Sequence, residues 1–129
     1  MARRERIFSG AELEGRYGYA RAVVAGDRVL VSGTAPIWPD GGCDPDPGVQ
    51  ARRCLEIIET ALREAGAELS DVVRTRMFVT DAEHQEAVGT AHAEAFATDP
   101  PATSMVVVAG LLDHRWKVEI EAEAIRASR

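Results

Sequence analysis

The stretch Asp46–Thr80, DPGVQARRCLEIIETALREAGAELSDVVRTRMFVT, changes its apolar period partway along, and that change decides the fold class. In its first part Ala51, Cys54, Leu55, Ile58, Ala61, Leu62 and Ala65 recur at the three- and four-residue spacing of one helical stripe. Asp46 suits the N-cap, Pro47 the first helical position and Gly66 the stop. From Val72 onward the period falls to two. Arg74, Arg76 and Phe78 then share one side of a strand, and Val73, Thr75, Met77 and Val79 the other.

On the N-terminal side, the Gly-, Pro- and Asp-rich segment IWPDGGCDPDPG (37–48) predicts a loop. Before it, RYGYARAVVAGDRVLVSG (16–33) predicts a hairpin, with apolar runs at Tyr19–Ala25 and Val29–Ser32 flanking the turn signal Gly26-Asp27. On the C-terminal side, Thr80 followed by Glu83 fits a capping box for a second helix running to about Ala97. Pro100-Pro101 imposes an extended backbone before the apolar strand TSMVVVAG (103–110). A turn near Asp113 leads to a last strand, KVEIEAEAI (117–125). The order is ββαβαββ, with room for one more N-terminal strand, so the class is α+β and residues 1–129 are expected to form a single domain.

Two helices cover only one face of such a sheet. The runs MVVVA (105–109) and VLVSG (29–33) are apolar on both sides, which predicts strands buried on both faces. The second face is therefore expected to meet another subunit, with a functional cleft between subunits.

The chain has 129 residues, 46% of them apolar and 28% charged, which is ordinary for a globular protein. Its net charge of −6 argues against a nucleic-acid binder, which carries a basic stripe. The basic N-terminus MARRERIFSG is followed by no apolar run of signal-peptide length, and no segment has the length of a membrane span, so the expected location is cytoplasmic. Cys43 and Cys54 show no metal-ligand spacing and are expected to be free thiols without an activating base. His84, His92 and His114 lack ligand spacing, and no nucleotide-binding or hydrolase motif occurs, so neither metal nor cofactor is expected.

The polar residues on otherwise apolar strands remain as candidates: Tyr19, Arg21, Ser32, Arg74, Arg76, Thr103, Ser104 and the alternating glutamates Glu119, Glu121 and Glu123. Arg74 and Arg76 are expected to pair with Glu121 and Glu123 as a cross-strand ladder. Glu119 is expected to lie deepest, beside Val118 and Ile120 and opposite the end of the TSMVV strand. Burial there would raise the affinity of its carboxyl for a proton and suit it to acid/base work. A solvated strand face is the competing explanation.

Taken together, GYARAVVAGDRVLVSG, ALREAGAELSDVVRTRMFVTD, PPATSMVVVAGLL and VEIEA resemble, in order, the motifs of the RidA (YjgF/YER057c/L-PSP) family, over about residues 17–126. The resemblance implies a chorismate-mutase-like fold, a mixed sheet with two helices on one face, and a homotrimer with clefts at its subunit interfaces. It also implies cofactor-free hydrolysis of 2-imino or enamino acids to 2-keto acids and ammonia. Tyr19 falls at the family's cleft tyrosine and Glu119 at the last-strand glutamate associated with the attacking water, which makes these two the catalytic candidates. Ser32 and Gly33 match the family's Ser-Gly pair.

The likeness breaks at the carboxylate clamp. Where the family carries an arginine in a PARS motif, PPATSM has Thr103. Gly18 and Arg21 stand for a proline and a glutamine, Met105 where a cysteine is common, and Gly89 where an asparagine often lines the cleft. Losing a charge-assisted contact costs roughly 1.5–3 kcal/mol, so a standard 2-imino-acid deaminase is not expected. Ser32, Gly33, Thr103, Ser104 and Met105 are the expected substrate-binding residues. Arg21 or Arg76 is a candidate replacement for the cation, against a purely structural pairing with the glutamates. A ligand-binding or protein-interaction trimer without catalysis is the alternative. An endoribonuclease, suggested by an older family name, fits the acidic balance least.

Overall fold

The computed structural model describes residues 4–127. Six strands form one mixed sheet: β1 (Arg4–Ile7), β2 (Ala22–Ala25), β3 (Arg28–Thr34), β4 (Val72–Val79), β5 (Ala102–Val107) and β6 (Val118–Ile125). Their order across the sheet is β1-β2-β3-β6-β4-β5. Neighbours are antiparallel except β4 and β5, which are parallel because a helix crosses over between them. That helix is α3 (Gln85–Phe96). A short α1 spans Glu12–Tyr17, and the long α2 spans Pro47–Glu64.

Helix α2 forms as its sequence predicts. The Asp46 carboxylate accepts the N–H groups of Gly48 and Val49, at 2.8 and 3.1 Å, and Pro47 occupies the first turn. Gly66, with φ 80°, follows its end. The whole stripe from Ala51 to Ala65 is buried against Val29, Val31, Ile120, Ala122 and Ala124 of the sheet. Helix α3 adds Val88, Ala91 and Phe96 to the same side. The opposite face is uncovered: Leu30, Val73 and Val106 are exposed there, as are most residues of the apolar edge strand β5.

Two local expectations need correction, and one element, α1, is additional to them. Strand β2 starts at Ala22 rather than Tyr19, because the Tyr19 N–H donates to the Glu14 carbonyl and so belongs to the end of α1. The ELEGRY sequence of α1 shows no apolar period. It is fixed locally instead, by the buried Glu14 carboxylate accepting from the backbone of Ser9 and Gly10 and from the Ser9 hydroxyl, and by Gly18 at φ 75°. The cap before α3 is Asp81, which accepts the Glu83 N–H at 2.8 Å and opens a three-ten turn. Thr80 is held by the sheet, its N–H donating to the Lys117 carbonyl.

Strand β4 also departs from simple alternation. A register shift against β6 between Val72 and Arg74 turns Val72 inward and leaves Val73 44% exposed, while Thr75, Met77 and Val79 remain buried as the alternation predicts.

Candidate active site

The uncovered face carries two of the three glutamates in a charge ladder. Arg76 Nη1 lies 3.0 Å from Glu121 and 3.7 Å from Glu123, and Arg28 lies 3.1 Å from Glu123. Arg74 stands in register with Glu123 yet makes no ion pair among the described residues, so Arg28 takes the place expected for it.

Glu119 has a different setting. It pairs with Phe78 of β4, not with the β5 strand, because β4 intervenes between β5 and β6. Its carboxylate lies against the α-carbon of Gly33: a Cβ at that position would stand 2.5 Å from Oε2. The close approach is made by a bulge. Val31 pairs with Ala122 and Thr34 with Ile120, so Ser32 and Gly33 together oppose Glu121 alone. Burial raises the proton affinity of Glu119 above the usual carboxylate range. The nearby Arg21 guanidinium pulls against that shift, and Glu121 adds to it.

Arg21 is 9% exposed, and its Nη2 donates to the Gly33 carbonyl at 2.7 Å. Its guanidinium carbon lies 5.9 Å from the centre of the half-open Tyr19 ring, and its buried Nε has no hydrogen-bond partner among the described residues. The Ser32 hydroxyl donates to the Ala20 carbonyl at 2.7 Å, which leaves its oxygen free only to accept. Tyr19, Arg21, Ser32, Gly33 and Glu119 are thus linked around the bulge of β3, between the start of β2 on one side and β6 on the other.

The other candidates lie elsewhere. In the parallel β4–β5 ladder Thr103 pairs with Thr75 and Met105 with Met77, so both point to the helix-covered side. Ser104 pairs with Arg76 on the uncovered side. A groove of about 480 Å³ runs between α3 and β5, lined by Gln85, Glu86, Gly89, Thr90, Ala93 and Met105. At the deep end of α3, Thr103 Oγ1 is 2.8 Å from Thr75 Oγ1, which is 2.8 Å from His92 Nε2. Glu119 and Thr103 therefore lie on opposite faces of the sheet.

Sequence inspection did not select Thr75 and His92. The signal was available, since His92 falls on the inward stripe Val88, Ala91, His92 and Ala95, and Thr75 on the inward set of its strand. Burial alone lowers the proton affinity of His92. Burial also raises the Cys43 thiol and, far more strongly, the Cys54 thiol, which leaves both as poor nucleophiles. Among the described residues no group of three or more His, Cys, Asp or Glu is placed to hold a metal, and no helix is long and apolar enough to cross a membrane.

A six-stranded mixed sheet with α2 and α3 on one face is an α+β architecture of the chorismate-mutase-like, RidA-type fold. Residues 10–126 match the sequence model of the family described as Endoribonuclease L-PSP. A protein of Streptomyces coelicolor is 38% identical over 126 residues, covering 95% of this chain and 92% of that one. The 2-iminobutanoate/2-iminopropanoate deaminase of Salmonella typhimurium is 37% identical over 113 residues, covering 84% and 87%. Among solved structures, a Mycobacterium tuberculosis member of the YjgF/YER057c/UK114 family superposes with a TM-score of 0.88 at 46% identity, covering 95% of this chain and 99% of that chain. The chain belongs to the RidA (YjgF/YER057c/L-PSP) family.

Proposed function

We propose that the chain acts as a cytoplasmic homotrimer that hydrolyses, or moves protons on, an imine-, enamine- or carbonyl-like metabolite in clefts between subunits, without a cofactor. The observation that carries this is Glu119, a half-buried carboxyl with raised proton affinity, pressed on Gly33 beside Arg21 and Tyr19. The deaminase names of relatives at 36–37% identity supply the reaction class. The placement of Glu119 and Thr103 on opposite faces supplies the reason for an intersubunit cleft, since the second half of the site has to come from a neighbouring chain. The exposed apolar strand β5 is consistent with that contact.

In this mechanism Glu119 accepts a proton from water as the water oxygen adds to the imine carbon. That proton passes to the substrate nitrogen to give a carbinolamine, Glu119 then carries the hydroxyl proton to the same nitrogen as the C–N bond breaks, and ammonia and a carbonyl product leave. Tyr19 orients the substrate, and Ser32 and Gly33 shape the floor under the carboxylate. Arg76 is paired with Glu121 and Glu123, whereas Arg21 spends one hydrogen bond on the Gly33 carbonyl and keeps an Nε unpartnered among the described residues, so of the two candidate cations Arg21 has the donors to spare. With Thr103 at the clamp position, 2-imino acids are not the preferred substrates.

Imines generated in situ by an amino-acid oxidase provide the test. Ammonia release should be accelerated by the protein, and Glu119→Gln should lower the rate about a hundredfold or more. Equal rates in the variant and the parent would remove Glu119 from this role. The alternative, a ligand-binding or protein-interaction trimer without catalysis, is favoured specifically by Thr103. It predicts a stabilising metabolite that survives long incubation unchanged. Ribonuclease action suits a chain of net charge −6 poorly.

A further inference from the structure

Thr75, His92 and Thr103 form a hydrogen-bonded row that links α3 and the buried side of β4 to the open edge strand β5. Thr75 is fully buried, His92 half-buried, and Thr103 exposed. Thr75 Oγ1 is within 2.8 Å of both His92 Nε2 and Thr103 Oγ1, and Thr103 Oγ1 also reaches the Pro101 carbonyl at 3.3 Å and His92 Nε2 at 3.5 Å. The imidazole packs on Phe96, ring centres 4.6 Å apart, which fixes its plane.

Two features set the chemistry of this row. It is reversible: with the proton on Nε2, the imidazole donates to Thr75, Thr75 to Thr103, and the Thr103 proton goes to the Pro101 carbonyl or outward to a ligand. With Nε2 bare, Thr103 donates to Thr75, Thr75 to the imidazole, and the Thr103 oxygen accepts from outside. It is also free of charge. No cationic side chain hydrogen-bonds to any of the three among the described residues, and burial lowers the proton affinity of the imidazole, which favours its neutral form. A carboxylate brought here would lose its hydration without a counter-charge, which is costly. A group with both an N–H and a C=O would satisfy either state of the row.

We infer that Thr103, Thr75 and His92 form the recognition half of the cleft and select an uncharged, carboxamide-like head group over a carboxylate; this rests on the two-chain cleft proposed above. Thr103 is the contact residue, while Thr75 and His92 are positioning residues that set which way its hydroxyl points. The substrate class follows as a neutral imine or carbonyl compound bearing an amide where a 2-imino acid bears its carboxylate.

Pyruvamide and pyruvate, nearly isosteric and differing in charge, separate the possibilities in binding titrations followed by NMR on the intact protein. The parent protein should bind pyruvamide about tenfold more tightly than pyruvate, the difference expected from one or two hydrogen bonds. Thr103→Val, at an exposed strand position that tolerates valine, and His92→Phe, which keeps the ring on Phe96, should each weaken pyruvamide binding about three- to tenfold and leave pyruvate unchanged. His92→Gln should restore part of the loss, and Thr103→Arg should reverse the preference. Pyruvate binding as tightly as pyruvamide, absence of pyruvamide binding, or indifference of pyruvamide to both Thr103→Val and His92→Phe would overturn the inference. Repeating the titrations in Glu119→Gln separates the two proposals. An active Glu119→Gln variant removes the catalytic role of Glu119, whereas the amide preference is read from binding alone.

Discussion

At the scale of single residues, the bulge at Ser32-Gly33 does most to shape the surroundings of Glu119, the proposed catalytic group. It adds a residue to β3 opposite Glu121, and the absent side chain of Gly33 gives the Glu119 carboxyl its place. That place is uncomfortable for a charge. Because the folded-state pKa of Glu119 is raised above its ordinary value of 4.5, the folded chain holds this proton more tightly than the unfolded chain. The associated stability is fully present below pH 4.5 and is lost as pH rises through the higher folded value. Glu119→Gln is uncharged throughout. Its melting temperature should exceed that of the parent at pH 7, and the difference should shrink as pH falls toward 4.5. A variant less stable than the parent at pH 7 would show that Arg21 outweighs the desolvation.

At the scale of elements, buried Gln50 of α2 ties the two long loops to the sheet. Its Nε2 donates to the carbonyls of Asp44 and Arg115, at 2.7 and 3.0 Å, and its Oε1 accepts the Lys117 N–H at 2.8 Å. These bonds set where β6 begins, and so the height of Glu119 two residues on. Gln50→Leu fits the volume but leaves those backbone groups unpaired, and should cost roughly 2–4 kcal/mol. Urea unfolding would record this as a lower midpoint with an unchanged slope. A loss below about 0.5 kcal/mol would mean that water replaces the amide without penalty. The Arg76, Glu121, Glu123 and Arg28 ladder is more exposed than Gln50 and contributes less per contact.

At the scale of the molecule, the sheet has one face covered by α2 and α3 and one left open, with Leu30 41%, Val73 44% and Val106 45% exposed on the open side. That open face is where the proposed trimer would form its contacts. The proposed trimer predicts a particle of three 13.9 kDa chains by light scattering at micromolar concentration. A monomer mass would remove the two-chain cleft, and with it the meeting of Glu119 and Thr103.

The sequence by itself determined the elements whose reasons are local. Asp46, Pro47, Gly66 and an unbroken apolar stripe define α2, and strict alternation defines β6 from Val118 to Ala124. Gly26-Asp27 defines the hairpin. The family motifs brought out Tyr19 and Glu119 as site candidates in the same way. Tertiary structure decided what depends on strand order, because a chain does not announce which strands become neighbours. Placing β6 between β3 and β4 gave Glu123 to Arg28 rather than Arg74, and gave Glu119 to Phe78 and Gly33 rather than the β5 strand. Packing α3 against β4 and β5 turned an isolated histidine and two threonines, scattered in the sequence, into one hydrogen-bonded row. Long-range pairing makes such sites, and it is written only in the folded chain.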